Sequence, residues 1–188
     1  MLLFPDCILH LEERNQWVNA IEFLLQEWRN DKQSLNKLLC AAMETWYVML
    51  YYDQLMAYCD QFICTDDTIS KLFNQLNELT TFGFRNFSDD FLFNLFFGYM
   101  IFHVPYHFCI PVGEKSENSY DFVRQFGYSM CEKAFCLQPK SVIAKLFLLS
   151  KEFDDAFSQA AREGKDEINR LFPEGKSAVI DYFRGNLS

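Results

Sequence analysis

Residues that break helices and form tight turns are scarce in this chain, which has only seven glycines and five prolines among its 188 residues. Strands joined by tight turns need more of both residue types than helices do. Half of the residues are hydrophobic and 21 are phenylalanines, so a sizeable core can be buried. These features predict an all-α fold in a single domain that spans residues 1–188.

Apolar residues recur at spacings of three and four along most of the chain, as they do on the buried face of an amphipathic helix. This periodicity predicts about eight or nine helices packed as antiparallel hairpins. The helical segments are expected near residues 7–28, 34–62, 65–83, 88–102, 120–137, 141–150, 152–163 and 175–184.

Three polar segments mark where helices begin. Ser34 can cap the second helix, and residues 65–68 and 88–90 offer hydroxyls and carboxylates to the free N–H groups of the next two. The apolar run from Phe91 to Phe102 is shorter than the roughly 20 residues that a membrane span needs. We therefore expect a buried core helix there and no contact with a membrane.

The net negative charge of the chain comes entirely from its first two thirds. Residues 1–120 carry 16 acidic and 7 basic side chains, residues 121–188 carry 10 of each, and the net charge is −9. We expect an acidic helical part (1–104), a surface loop (105–118) and a neutral helical part (119–188). This balance opposes binding to nucleic acid and favours a basic protein partner.

No phosphate loop, dinucleotide fingerprint, metal motif or nucleophile motif is apparent, so we expect no catalysis, no cofactor and no bound metal. His103, His107 and Cys109 could meet at a zinc ion, but Pro105 interrupts the helical spacing between the histidines. The seven cysteines are odd in number and follow no secretory signal, which predicts reduced thiols in a cytoplasmic protein.

Tyrosines interleaved with acids follow one face of the second predicted helix. Such a composition suits a surface that binds basic proteins, because tyrosine anchors the partner and carboxylates select for positive charge. The predicted partner-binding residues are Glu44, Tyr47, Tyr51, Asp53, Tyr58, Asp60, Asp66 and Asp67. The same helical spacing also fits a stripe that packs against a neighbouring helix in the core, and both interpretations remain open.

The second half of the chain contains an internal repeat. The pairs 34 positions apart are Pro139 and Pro173, Gly127 and Ala161, and Leu137 and Leu171. The segments 140–143 and 176–180 also match, with a two-residue slip. A period of 34 in which proline ends a helix resembles a tetratricopeptide unit. This resemblance covers residues 120–184 and implies a partly solenoid-like stack that binds peptides.

In overall character the chain is small and acidic, contains phenylalanine, asparagine and cysteine, and lacks a catalytic constellation. In this it resembles bacterial immunity proteins of contact-dependent growth inhibition and other polymorphic toxin systems. The resemblance implies a non-enzymatic inhibitor that binds a toxin domain, often a nuclease, in a one-to-one complex and occludes its active site. Such toxins are commonly basic because they bind RNA or DNA, which matches the acidic excess of residues 1–120.

Overall fold

A computed structural model describes residues 4–58, 66–112, 115–117, 119–149 and 155–187. Almost all regular structure in these residues is helical, which confirms the predicted all-α class. The helices are α1 (Asp6–Glu13), α2 (Trp17–Asn30), α3 (Leu35–Leu50), α4 (Tyr52–Tyr58), α5 (Asp66–Phe87), α6 (Phe91–His103), α7 (Tyr120–Leu137), α8 (Val142–Leu149), α9 (Asp155–Glu163), α10 (Lys165–Leu171) and α11 (Ala178–Leu187). The described residues therefore hold eleven helices, more than the eight or nine predicted.

Two of the predicted helices are each divided in two. The first breaks between α1 and α2, where Asn15 has a φ of 58°, a left-handed conformation that asparagine adopts more readily than most residues. The second breaks at Tyr51, between α3 and α4. Ser34 caps α3 as predicted, because its Oγ accepts a hydrogen bond from Lys37 N at 3.4 Å.

Two of the predicted helix starts and the buried helix predicted at residues 88–102 agree with the structure, while the first residue of the start predicted at 65–68 lies outside the described residues. Asp90 Oδ1 accepts hydrogen bonds from Leu92 N and Phe93 N at 2.7 and 3.3 Å, which caps α6. Residues 93–102 of that helix are all buried. In the part of the chain that the structure describes, no helix is both long and apolar enough to cross a membrane.

The segment predicted as a surface loop, residues 105–118, has more structure than expected. It contains a 3₁₀ turn (Pro105–His107) and a short antiparallel hairpin of β1 (Ile110–Val112) and β2 (Lys115–Glu117). Phe108 and Ile110 are buried in the core. The segment therefore differs from the expected surface loop at Phe108 and Ile110, whose apolar side chains anchor it to the bundle, while residues 113, 114 and 118 lie outside the described residues.

One aromatic core joins the parts that the charge pattern separates. The ring of Phe183 in α11 lies 5.9 Å from Trp46 in α3, 5.2 Å from Tyr99 in α6 and 6.4 Å from Phe147 in α8, measured between centroids. Phe183 is fully buried. The acidic helices and the neutral helices therefore bury their apolar faces against each other.

The repeated Lys-Ser segments of the second half begin two helices in the same way. Ser141 Oγ accepts a hydrogen bond from Ala144 N at 3.2 Å at the start of α8. Ser177 Oγ accepts one from Ile180 N at 3.1 Å at the start of α11. This part of the sequence repeat thus corresponds to a repeated N-terminal cap.

Candidate functional site

The structure separates the members of the predicted partner-binding set. Glu44 is fully buried, because the middle of α3 is covered by other helices, so the prediction that it contacts a partner is corrected. Tyr47 and Tyr51 are half-buried, whereas Asp53 and Asp67 are exposed. Asp60 lies outside the described residues, and the side chains of Tyr58 and Asp66 are not described either.

Glu44 meets a second carboxyl group in the core, that of Glu12 in α1. The two side chains are 0% and 4% exposed, and their carboxyl groups lie close enough to shift each other's pKa, while neither oxygen of Glu44 has a hydrogen-bond donor among the described residues. Burial raises the pKa of Glu12 to about 7. Burial, and then the charge of Glu12, raise the pKa of Glu44 well above its usual range. Because two buried carboxylates in contact repel each other, the pair holds a shared proton near neutral pH.

Glu12 also completes the cap of α11. Its Oε2 accepts a hydrogen bond from Ala178 N at 2.7 Å, where the free N–H groups and the positive end of the helix dipole favour an anion. Glu167 does the same at α8, where it accepts from Val142 N at 2.8 Å. Each repeated helix start is thus completed by a glutamate that is distant in sequence.

A groove beside this pair is lined largely by tyrosine. The tyrosine groove has a volume of about 500 Å³ and is lined by Tyr47, Tyr51, Gln54, Leu55, Ala178, Asp181 and Tyr182. The centroid of the Tyr47 ring lies 4.8 Å from that of Tyr51 and 5.9 Å from that of Tyr182, and the last two are 5.8 Å apart. Tyr47 and Tyr51 of the predicted stripe therefore pack against Tyr182 of α11 and also line a groove.

The charges around the tyrosine groove are negative. Asp181 is exposed at its edge, and no basic residue is among the described residues that line it. The pKa of Tyr47 is raised to about 12, by burial first and then by Tyr51 and the carboxyl groups of Glu12 and Glu44. The groove therefore combines aromatic walls with a negative potential, an environment that attracts cations.

Asp67 lines a separate cavity of about 350 Å³ near the starts of α2 and α5, together with Trp17 and Lys71. The ring of Trp17 also contacts the ring of Tyr47, with centroids 5.9 Å apart. The cavity of Asp67 and the tyrosine groove therefore lie on either side of one aromatic contact. Of the predicted partner-binding residues, the fold therefore brings Tyr47, Tyr51 and Asp67 near one another.

Most of the other exposed acids in residues 1–120 are already paired. The ion pairs are Glu22–Lys71 at 2.8 Å, Glu78–Arg29 at 3.4 Å, Glu27–Lys37 at 3.4 Å, Asp31–Lys37 at 3.6 Å, Asp89–Lys133 at 2.7 Å and Asp6–Lys176 at 3.1 Å. Asp53 and Asp67 form no such pair with any described residue. Their charges are therefore available to an outside partner.

The histidines of the possible zinc site do not form a cluster. The ring of His103 packs on that of Tyr99, with centroids 4.2 Å apart. His107 instead lines a cavity together with Tyr52 and Phe73. Burial lowers the pKa of each histidine to about 4. No group of three or more histidine, cysteine or acidic side chains within the described residues could hold a metal ion.

Sequence reasoning missed Glu12, Asp181 and Tyr182. The Lys-Ser start at residue 177 signals free N–H groups that need an acceptor, but the glutamate that supplies it lies at the other end of the chain. Comparison of the chain with protein-family models, curated proteins and solved structures found no match. The functional argument is therefore made from the tyrosine groove and the charges near it.

Proposed function

We propose that this protein is a non-enzymatic inhibitor of the immunity-protein type, which binds a basic toxin domain one-to-one in the cytoplasm and occludes its active site. The toxin is a nuclease, whose basic substrate groove is the complement of an acidic inhibitor. The observation that carries the proposal is the negatively charged tyrosine groove, in which Tyr47 and Tyr51 are accessible beside Asp181.

The pattern of ion pairs supports the same conclusion. Most exposed acids near the start of the chain are neutralised within the molecule, but Asp53 and Asp67 have no partner among the described residues. Binding a basic protein through these two carboxylates breaks no internal ion pair. Charges of this kind steer the encounter and mainly raise the association rate.

The first experiment captures the partner and tests what the complex does. The purified full chain is immobilised, exposed to lysate of its native host at low and raised salt, and the bound protein is identified by mass spectrometry. We expect one basic protein whose nuclease activity disappears at a one-to-one ratio and whose association slows as salt rises. A complex that still degrades RNA and DNA would contradict the proposal.

Charge variants then test the surface. We expect the double substitution of Asp53→Asn and Asp67→Asn to slow association with the captured nuclease by about threefold to tenfold and to leave dissociation nearly unchanged. The matched control carries Asp121→Asn and Asp155→Asn, which remove the same charge from two other exposed acids that form no ion pair with a described residue. Equal association rates for both doubles would show that the proposed surface is wrong.

A second candidate function is a tetratricopeptide-like, partly solenoid scaffold that binds peptides, and a different groove favours it. This groove, of about 440 Å³ among α9, α10 and α11, has Phe157 and Ile168 as apolar lining and Arg162, Lys165 and Arg184 as cations. Such a lining suits an extended acidic peptide. A peptide array probed with wild type and with Arg162→Gln/Lys165→Gln separates the candidates, because only the scaffold loses its ligands in that variant.

A further inference from the structure

We infer that the tyrosine groove is a binding site for an arginine side chain of the partner protein. The inference rests on the proposed function only for the partner's basic character, because the site itself is formed by this chain alone. The bound group is a guanidinium cation, which is held between the tyrosine rings of the groove and a carboxylate.

The ring geometry provides the aromatic part of the site. The planes of Tyr47, Tyr51 and Tyr182 are inclined to one another by 47° to 74°, so the cluster offers ring faces in several directions. A cation within about 6 Å of a ring centroid is attracted to the face of the ring. The protein already makes this contact elsewhere, where the guanidinium carbon of Arg124 lies 4.8 Å from the centroid of Phe102.

Asp181 provides the carboxylate. Its Oδ1 accepts a hydrogen bond from Gly175 N at 3.3 Å, and its Oδ2 has no hydrogen bond to a described residue. Beneath Ala178, the buried Glu12–Glu44 pair adds a negative charge whenever it holds a single proton. A cation entering the groove thus meets a carboxylate acceptor at the edge and a negative potential from below.

The shape of the site favours arginine over lysine. A guanidinium group is planar, so it can stack on a tyrosine ring while its N–H groups donate to a carboxylate. An ammonium group offers no flat face and is more strongly hydrated. An acidic peptide is excluded by Asp181 and the buried pair, and a purely apolar side chain leaves the Asp181 carboxylate without a donor.

The test uses the full-length protein and a small probe, so it does not depend on the partner. Nα-acetyl-arginine methylamide is titrated into isotopically labelled protein, and NMR follows the amides of Ala178 and Asp181. The lysine and norleucine analogues are titrated in parallel. We expect saturable shifts with the arginine analogue, weaker binding of the lysine analogue and no saturation with norleucine.

Substitutions locate the probe in the groove. We expect Tyr51→Leu and Asp181→Asn each to weaken binding of the arginine analogue by about tenfold, whereas Tyr51→Phe retains it because the ring remains. Two matched controls, Tyr106→Leu and Asp155→Asn, change exposed residues elsewhere and should bind as wild type does. Tyr51→Phe and Asp181→Asn keep the test decisive if Tyr51→Leu lowers stability.

The outcomes separate this inference from the proposed function. Equal binding of norleucine and arginine analogues, absence of saturable shifts, or an unchanged affinity in Asp181→Asn would overturn the arginine site. If the arginine analogue binds as expected but the captured nuclease binds Tyr51→Leu as tightly as wild type, the site stands and the proposed inhibitory surface fails. If only the nuclease binding depends on Tyr51, the inhibitor stands and the arginine site fails.

Discussion

Burying Glu44 beside Glu12 costs least while the two carboxyl groups hold at least one proton between them. Both groups have a folded-state pKa above the ordinary value of 4.5, chiefly because of burial. Above pH 4.5 this pair therefore holds more protons in the folded chain than in the unfolded chain. Its contribution to the free energy of unfolding falls as pH rises from 4.5 through about 7, whereas His103 and His107, whose folded-state pKa is about 4, contribute a rise between about pH 4 and 6.5.

Glu44→Gln tests this account at the level of one side chain. The amide donates a hydrogen bond to Glu12 without needing a proton, so we expect the free energy of unfolding at pH 8 to rise by about 1–3 kcal/mol. At pH 5 we expect little change. Urea unfolding between pH 5 and 8 measures both values. The control is Glu167→Gln, which makes the same chemical change in the glutamate that caps α8. Parallel pH profiles for wild type and Glu44→Gln would contradict the shared proton.

The sequence could not show that Glu44 is buried. A single acid between Met43 and Thr45 in a helix has the same local pattern whether it faces solvent or another helix. Its environment is decided by Glu12 of α1, 32 residues earlier in the chain, which reaches it only in the folded molecule. The exposure of Asp67 was predictable because residues 65–68 are all polar. Asp53 and the tyrosines lie in a largely apolar stretch, where spacing alone does not distinguish an exposed side chain from a buried one.

At the scale of helices, the sequence predicted starts better than interruptions. Ser34 and Asp90 cap helices as predicted, because capping depends on contacts within one turn. The break at Asn15 was missed because the apolar spacing continues across it. α5 continues through Gly83, where a side chain would overlap the ring of Phe93, so this glycine serves packing and does not end the helix.

The contact between α6 and α7 leads to a prediction about glycine. A Cβ atom at Gly127 would lie 2.5 Å from Phe102 N and 2.9 Å from the carbonyl carbon of Ile101, both backbone atoms. Because two backbones must separate to admit it, we expect Gly127→Ala to lower the free energy of unfolding by about 2–4 kcal/mol. Thermal and urea unfolding measure the loss.

Gly185 provides the matched control for this substitution. It lies in α11, and a Cβ atom there meets no heavy atom within 4 Å. Alanine restricts the unfolded chain and favours a helix, so we expect Gly185→Ala to raise stability by about 0.5–1 kcal/mol. If both substitutions change stability by the same amount, the close approach of α6 and α7 is not what requires Gly127.

For the whole molecule, charge and packing divide the chain differently. By its charges the sequence divides into an acidic part, residues 1–104, and a neutral part, residues 119–188. The core does not, because Phe183 of the neutral part contacts Trp46 and Tyr99 of the acidic part. Net charge is a property of the surface, so it carries no information about which helices share a core.

Cutting the chain after residue 118 tests whether the molecule is one cooperative unit. The fragment 119–188 would expose Phe183 and leave Ala178 N without Glu12, its acceptor at 2.7 Å. We expect each fragment alone to lack a cooperative thermal transition, and an equimolar mixture to regain most of the helical circular dichroism of the intact chain. If the fragment 119–188 unfolds cooperatively by itself, its helices form an independent stack. That result would favour the peptide-binding scaffold over the inhibitor as the function of the protein.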